Sequence, residues 1–315
     1  MKRILITGAT GFIGSALQHC LRAENVTIIS QSRRPHESDD GIHWVQHDLI
    51  RDSWDQLSLP ALDIVYHLAG QTSTYGARKD PIADLSANVL GLLNLLEYLR
   101  RQPSPPFVVL AGTVTEVGVP DELPIREDMP DQPITFYDIS KLTAELYLKQ
   151  YVREGWLKGC SLRFSNVFGR STMGQQEDRG ILDKVFQRAI SGQGVTIYGD
   201  GSYLRDYIFI DDVVSALVAA PLNRERTSGR TFCVGSGHGV TIKDAFMKVV
   251  AIAETITGGH VTCEHVKPPA DSSGIESRNA VIDSSAYRQA TGWAAQYDLD
   301  QGLKAAYQSF TVHYS

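Results

Sequence analysis

The sequence predicts an α/β protein built on a doubly wound parallel sheet, with a smaller α/β unit towards its C-terminal end. Three observations carry this. Short apolar runs of strand length alternate with helix-length stretches from residue 4 to about residue 165, the order that yields parallel strands joined by helical crossovers. The first run, Ile4-Leu5-Ile6, passes straight into Gly8-Ala9-Thr10-Gly11-Phe12-Ile13-Gly14 and then into a helix to about Arg22. Beyond residue 165 the alternation loosens. Residues 1–165 are therefore expected to form one domain, with segments near 205–235 returning to it, and 166–315 to form most of a second.

Composition narrows the class. The 315 residues are 43% hydrophobic and 21% charged, which suits a globular chain with a sizeable core. A net charge of −6 gives no attraction to a nucleic-acid backbone or an anionic membrane, and neither is expected as a partner. The four cysteines, Cys20, Cys160, Cys233 and Cys263, are far apart, without histidines at ligand spacing. No disulfide framework and no metal site is expected. The chain enters a strand almost at Met1, leaving no room for a signal peptide, and no later apolar run reads as long enough to span a bilayer. A cytoplasmic protein is the expectation.

Taken in order, the elements point to a nucleotide site. Glycines at every third position let a backbone approach a pyrophosphate, and the helix that follows offers N–H groups and a positive dipole end. Gly8, Thr10, Gly11, Phe12, Ile13 and Gly14 are the expected lining. Val26 to Ile29 forms the second strand and ends in Ser30-Gln31-Ser32-Arg33-Arg34. An NAD site usually carries an acid there for the ribose diol; Ser32 and Arg33 suit the 2′-phosphate of NADP. Trp44-Val45-Gln46 is a third strand, followed by Asp48, whose carboxylate can accept from an adenine amino group, and Leu49. Asp63 to Gly70 is a buried fourth strand closed by Leu68, Ala69 and Gly70, with His67 read as a satisfied core histidine. Apolar residues at helical spacing predict a long helix over Asp84–Arg101 with Asn88 inside it.

Phe107-Val108-Val109-Leu110 is the fifth strand, and Thr113 at its end carries a hydroxyl. A proline-bearing loop then delivers Phe136-Tyr137-Asp138-Ile139-Ser140-Lys141. Tyr137 and Lys141, four residues apart, share one helical face. An ammonium beside a phenol favours the phenolate, and such a group exchanges protons with an alcohol or carbonyl oxygen. Thr113 can hydrogen-bond that same oxygen. Cys160 to Phe164 is a sixth strand, leading to Asn166. Helices are predicted over Ile181–Ser191 and Val213–Ala220. Between them Arg205 is read either as an anchor for a diphosphate or as an ion-pair partner of Asp206 or Asp211. The remainder, with Arg278 and Trp293, reads as a substrate-binding cap.

Gly8/Gly11/Gly14, Asp48, Asn88, Thr113, Tyr137/Lys141, Asn166 and Arg205-Asp206, in this order, resemble the extended short-chain dehydrogenase/reductase family, and within it the nucleotide-sugar epimerases, dehydratases and ketoreductases. The resemblance covers essentially the whole chain. It implies a Rossmann-type sheet and Tyr137 as the acid/base. Lys141 would hold the nicotinamide ribose and lower the Tyr137 pKa, and Thr113 would orient the substrate oxygen. Tyr137 and Lys141 thus join Ser32, Arg33, Asp48, Leu49, Leu68, Ala69, Gly70 and Asn88 around the cofactor. Asn166, Arg205, Arg278 and Thr113 fall to the nucleotide-sugar substrate. The resemblance also implies a homodimer in which the helices over Asp84–Arg101 and Tyr137–Glu154 form a four-helix bundle.

The departures from that pattern matter. Val114 and Thr115 stand where 4,6-dehydratases carry Asp-Glu, and Thr115 where 5-epimerising reductases carry a cysteine. Gly112 and Val117-Gly118 replace a serine-rich strand end and a Tyr-Gly pair. What is left is hydride chemistry at one carbinol carbon. The expectation is an NADP(H)-dependent reductase of a nucleotide-linked 4-keto sugar, NAD being the alternative cofactor and a nucleotide-sugar 4-epimerase with tightly held NAD the alternative enzyme. A non-catalytic NADP(H)-sensing protein is the more remote alternative, since both Tyr137 and Lys141 are present. Substrate choice is expected to lie in loops near 71–80, 170–180 and 265–278.

Overall fold

The computed structural model describes residues 1–38, 41–169, 180–268 and 274–307. β1 (Lys2–Thr7) leads through the glycine turn into α1 (Phe12–Leu21), then β2 (Val26–Ser32), β3 (Ile42–Gln46) and β4 (Ile64–His67). Next come α2 (Thr74–Lys79) and, after a break at Asp80, an unbroken helical run of α3 (Pro81–Leu85), one π turn (Ser86–Leu90) and α4 (Gly91–Leu99). β5 (Phe107–Thr113), α5 (Phe136–Arg153) and β6 (Lys158–Phe164) complete the N-terminal run. Next come β7 (Asn166–Phe168), α6 (Ile181–Ile190), β8 (Val195–Tyr198), β9 (Leu204–Phe209), α7 (Ile210–Leu222) and α8 (Arg224–Thr227). β10 (Thr231–Val234), β11 (Gly239–Thr241), α9 (Ile242–Thr257), β12 (Cys263–Val266), α10 (Ser285–Thr291) and α11 (Leu299–Tyr307) end the described chain.

The main sheet has seven strands in the order β10-β6-β5-β4-β1-β2-β3, all parallel. Both of its faces are covered. Ile4, Ile6, Ile28, Tyr66 and Val109 pack on one side with Leu17, Val213 and Leu217. Their neighbours Leu5, Ile29, Val65, Val108 and Leu110 pack on the other with Leu92, Leu95, Leu96 and Leu148. Alternate residues of near-continuous apolar strands thus feed two cores, as a buried parallel sheet requires. At about 25 cal/mol per Å² of apolar surface, this double burial is the main favourable term in folding. β10 is a late strand that returns to the sheet edge beside β6, whereas Leu204–Phe209 joins a separate three-stranded sheet, β11-β9-β7.

The stretch Pro81–Leu99 departs from its sequence reading. With a mean hydropathy of 1.2 it is, among the described residues, long and apolar enough to cross a membrane, although Asp84, Asn88, Asn94 and Glu97 interrupt it. Half of it is buried, in contact with α5. Its apolar length serves the core.

Strand order reverses between β1 and β4, the place where open α/β sheets bind ligands at the carboxyl ends of their strands. Gly8 follows β1, Ser32 ends β2, Gly70 follows β4, Thr113 ends β5 and Asn166 follows β6. The loop residues 170–179 and 269–273, part of the expected substrate-selecting loops, lie outside the described residues.

Candidate active site

The site begins at the glycine turn. Gly8 has φ 66°, and a Cβ there would stand 2.7 Å from the Ala69 N atom. A Cβ on Gly14 would stand 2.2 Å from the Gly8 carbonyl oxygen. Neither position admits a side chain, so the backbones that follow β1 and β4 touch. α1 starts after Gly11 without a side-chain cap, which leaves the N–H groups of its first turn, those of Phe12 and Ile13 among them, without a side-chain acceptor at the glycine turn that holds Thr10. The sequence reading missed Gln31. Its Oε1 accepts from Gly8 N at 3.1 Å and its Nε2 donates to the His47 carbonyl at 2.6 Å, fixing the turn to β2 and β3.

At the end of β2 the Ser32 Oγ accepts from Arg34 N at 3.1 Å and lies 3.2 Å from His36 Nε2. Ser32 is buried and Arg33 is exposed, and the His36 ring stacks on Trp44 with centroids 4.3 Å apart. Asp48 has one oxygen committed to its own turn, with Oδ1 accepting from Ile50 N at 2.9 Å. Leu49 is buried against Gly91. His67 is only half provided for: its Nδ1 lies 3.0 Å from Thr7 Oγ1, while Nε2 has no partner among the described residues.

Asn88 sits in the π turn, the kind of helix irregularity that often marks a functional site. Its Nδ2 donates to Asp84 Oδ1 at 3.0 Å, and its Oδ1 has no partner among the described residues. That oxygen lies 2.5 Å from where a Gly70 Cβ would be. The buried amide is therefore held against the backbone that closes β4.

α5 opens with a capping box in which Thr135 Oγ1 accepts from Asp138 N and Asp138 Oδ2 accepts from Thr135 N, both at 3.1 Å. Such a cap is worth about 1 kcal/mol, and it fixes the first turn, where Tyr137 stands. The Thr113 hydroxyl, bonded to Thr115 Oγ1 at 3.0 Å, is close enough to Tyr137 to pull its pKa down, and Lys141 Nζ donates to the Ala111 carbonyl. Thr113, Tyr137 and Lys141 thus converge at the end of β5. The spacing alone implied a phenol made more acidic by Lys141. The protein's own groups do the opposite: burial raises the Tyr137 pKa first, and the Glu116, Asp138 and Asp84 carboxylates add to it, against the Thr113 hydroxyl. Lys141 is buried too, and desolvation lowers its pKa against the pull of Glu116, Asp84 and Glu145.

The expected substrate residues are spread more widely. Asn166 is half-buried on β7, in register with Tyr207 of β9. Arg205 Nη1 donates to the Leu204 carbonyl at 2.9 Å and also to that of Arg278, and its Nη2 donates to the Glu276 carbonyl at 2.7 Å. It forms no ion pair with Asp206 or Asp211 among the described residues. Asp206 instead accepts from Ser165, Ser236, Gly237 and Ile282. Arg278 is buried, its Nη1 donating to the Gly118 carbonyl at 2.7 Å. Its pKa is pushed down to about 10 by burial and then by Arg205. The segment around 276–278 is thereby stitched across the end of β5.

Residues 4–235 match the NAD dependent epimerase/dehydratase family. The chain belongs to that family. Among its relatives, the UDP-glucose 4-epimerase of Mycolicibacterium smegmatis is 29% identical over 98% of both chains. The GDP-6-deoxy-D-mannose reductase of Pseudomonas aeruginosa is 31% identical over 96% of this chain and 95% of its own. The solved structure of UDP-glucose 4-epimerase with UDP-glucose from Thermotoga maritima superposes with a TM-score of 0.87 at 27% identity, over 99% of this chain and 100% of that one. MoeE5 in complex with UDP-glucose and NAD gives 0.84 at 27% identity, over 99% and 100%. The fold is thus Rossmann-like, and the protein is an NAD(P)-dependent enzyme of this family. Its glycine cradle, uncapped α1 and buried Asn88 oxygen fit a nicotinamide dinucleotide.

Proposed function

We propose that the protein reduces a nucleotide-linked 4-keto sugar to the alcohol with NADPH. The observation that carries this reading is the end of β2. Where a ribose-binding acid would select NAD, the chain has buried Ser32 and exposed Arg33 and Arg34, a set suited to a 2′-phosphate. A reductase consumes a free NADPH at each turnover, whereas an epimerase recycles a cofactor it keeps.

The nicotinamide supplies hydride when bound. This chain's residues do the rest. Tyr137 gives its phenolic proton to the substrate oxygen, Thr113 hydrogen-bonds and orients that oxygen, and Lys141 holds the ribose and completes the positive side of the site. Val114 and Thr115 cannot ionise. The nearby carboxylate, Glu116, is fully buried and turned to the Thr113 N–H and to Arg163, so it offers no proton to a sugar carbon. The relatives named UDP-glucose 4-epimerase favour a second reading, epimerisation at C4 with retained NAD. Identifying the dinucleotide in freshly purified protein separates the two: exchangeable NADP(H) supports the reductase, while stoichiometric, tightly held NAD supports the epimerase.

We also propose a cytoplasmic homodimer. Ile82 and Leu85 on α3 and Phe136, Ile139, Leu146 and Tyr147 on α5 are exposed apolar residues on two elements that pack together. Such a patch suits the expected four-helix bundle with a second copy. Light scattering of wild type and Leu146→Glu tests it. A wild-type monomer rejects the dimer.

A further inference from the structure

Beneath the Thr113–Tyr137–Lys141 site lies a closed cluster of charges. Arg163 on β6 is 1% exposed, and Glu116 and Glu145 are 0% exposed. Arg163 Nε stands 3.0 Å from Glu116 Oε2 and 3.0 Å from Glu145 Oε2, and its Nη2 donates to Glu145 Oε1 at 2.8 Å. Nη1 donates to Asp131 at 2.6 Å, and Lys149 donates to Glu145 at 2.8 Å. Glu145 thus has two cations and Glu116 only a share of one. Glu116 is tied to the site directly, because its Oε1 accepts from Thr113 N at 2.9 Å and closes a capping box over the turn Val114–Val117.

We propose that Glu116 is a positioning residue of the active site, fixing Thr113 through its N–H and placing a carboxylate behind Tyr137 and Lys141. This rests on the reading of Tyr137 as the proton carrier. The groups that face Glu116 are Arg163 of β6, Tyr137, Lys141 and Glu145 of α5, Cys233 of β10 with Glu127 beyond it, and Asp131 on the far side of Arg163. Burial first and the Glu145 charge second push the Glu116 pKa up, against the pull of Arg163. As it ionises, it makes the Tyr137 phenol harder to ionise and the Lys141 ammonium easier to keep. A buried carboxylate without a full counter-ion is costly. Its value here is that it keeps the proton on Tyr137 until substrate takes it.

The test uses NADP⁺-loaded protein carrying fluorotyrosine, whose phenol is more acidic than tyrosine's. The ¹⁹F resonance of residue 137, assigned by its loss in Tyr137→Phe, is followed with pH in wild type, Glu116→Gln and Glu116→Met. Both variants remove the carboxylate, and only Met also removes the acceptor for Thr113 N. The expected result is a Tyr137 midpoint lower by about half a unit or more in whichever variant folds. In turnover of a nucleotide-linked 4-keto sugar, Glu116→Met should lower kcat about tenfold with a smaller change in KM, and Glu116→Gln should recover most of that loss. A midpoint that stays put, or a resonance that moves in none of the proteins, overturns the proposal. Tyr137→Phe reducing the same sugar at the wild-type rate ends the underlying reading instead, whatever the resonance does.

Discussion

The Asn88 Oδ1 atom occupies the space that a side chain on Gly70 would need, 2.5 Å from the position of its Cβ. The contact ties the helix carrying Asn88 to the end of β4, and Asn88 is buried and hydrogen-bonded to Asp84, so its amide cannot swing aside freely. Gly70→Ala is expected to displace it and weaken nicotinamide-cofactor binding, at an overpacking cost of about 1–3 kcal/mol. Adding Asn88→Ala should relieve the clash, leaving the double variant less impaired than the sum of the singles. Strict additivity in cofactor titrations would show that the two residues do not act together.

Arg33→Ala is expected to weaken NADPH by about 1.5–3 kcal/mol, the worth of a charged hydrogen bond, and to leave NADH nearly untouched. Fluorescence titration of both cofactors checks this. Preference for NADH in the wild-type protein would remove the argument drawn from the end of β2.

Arg205 holds three backbone carbonyls, and two of them belong to the 276–278 segment. Arg205→Met leaves those buried acceptors unpaired, at about 1–3 kcal/mol for each one that water cannot reach. A fall in unfolding free energy together with a raised KM is therefore the expected outcome. Unchanged stability with only KM raised would mean that the guanidinium serves the substrate diphosphate and not the fold.

His67 is fully buried, and burial first and the Lys141 charge second push its pKa down to about 3 from an ordinary 6.5. Between those values the unfolded chain takes up a proton that the folded one refuses. The stability tied to this group is therefore complete above pH 6.5 and is lost as pH falls towards 3. His67→Gln should flatten the acid side of the stability–pH curve measured by urea unfolding. An equally steep acid limb in the variant would place the acid sensitivity elsewhere.

Local patterns were legible in the sequence. The glycine turn, the alternation of strands and helices and the Tyr137–Lys141 spacing depend on residues a few positions apart, and the structure places Thr113 close to Tyr137. What was not legible depends on contacts across the chain. Glu116 reads as one more polar residue after a strand until Arg163 is seen behind it, and the phenol shift reverses because of carboxylates gathered from three elements. Gln31 looked like part of a strand end, yet it braces the glycine turn. Arg205 reads as a diphosphate anchor or an ion-pair partner of Asp206 or Asp211 until the backbone carbonyls of Glu276 and Arg278 arrive, and backbone acceptors leave no mark in a sequence. The π turn at Asn88 was hidden for a similar reason, since its register is set by packing.

Reduction at a single carbon, with Tyr137 as proton donor and no carbon acid/base group, makes a distinct isotopic prediction. It is tested most directly by incubating the protein with NADPH and a nucleotide-linked 4-keto-6-deoxy sugar in heavy water, counting NADPH consumed and locating deuterium in the product by NMR. The expected result is one NADPH oxidised per alcohol formed and no solvent deuterium on any sugar carbon. Deuterium at C5 or C6, or interconversion of two nucleotide sugars with no NADPH consumed, would contradict it.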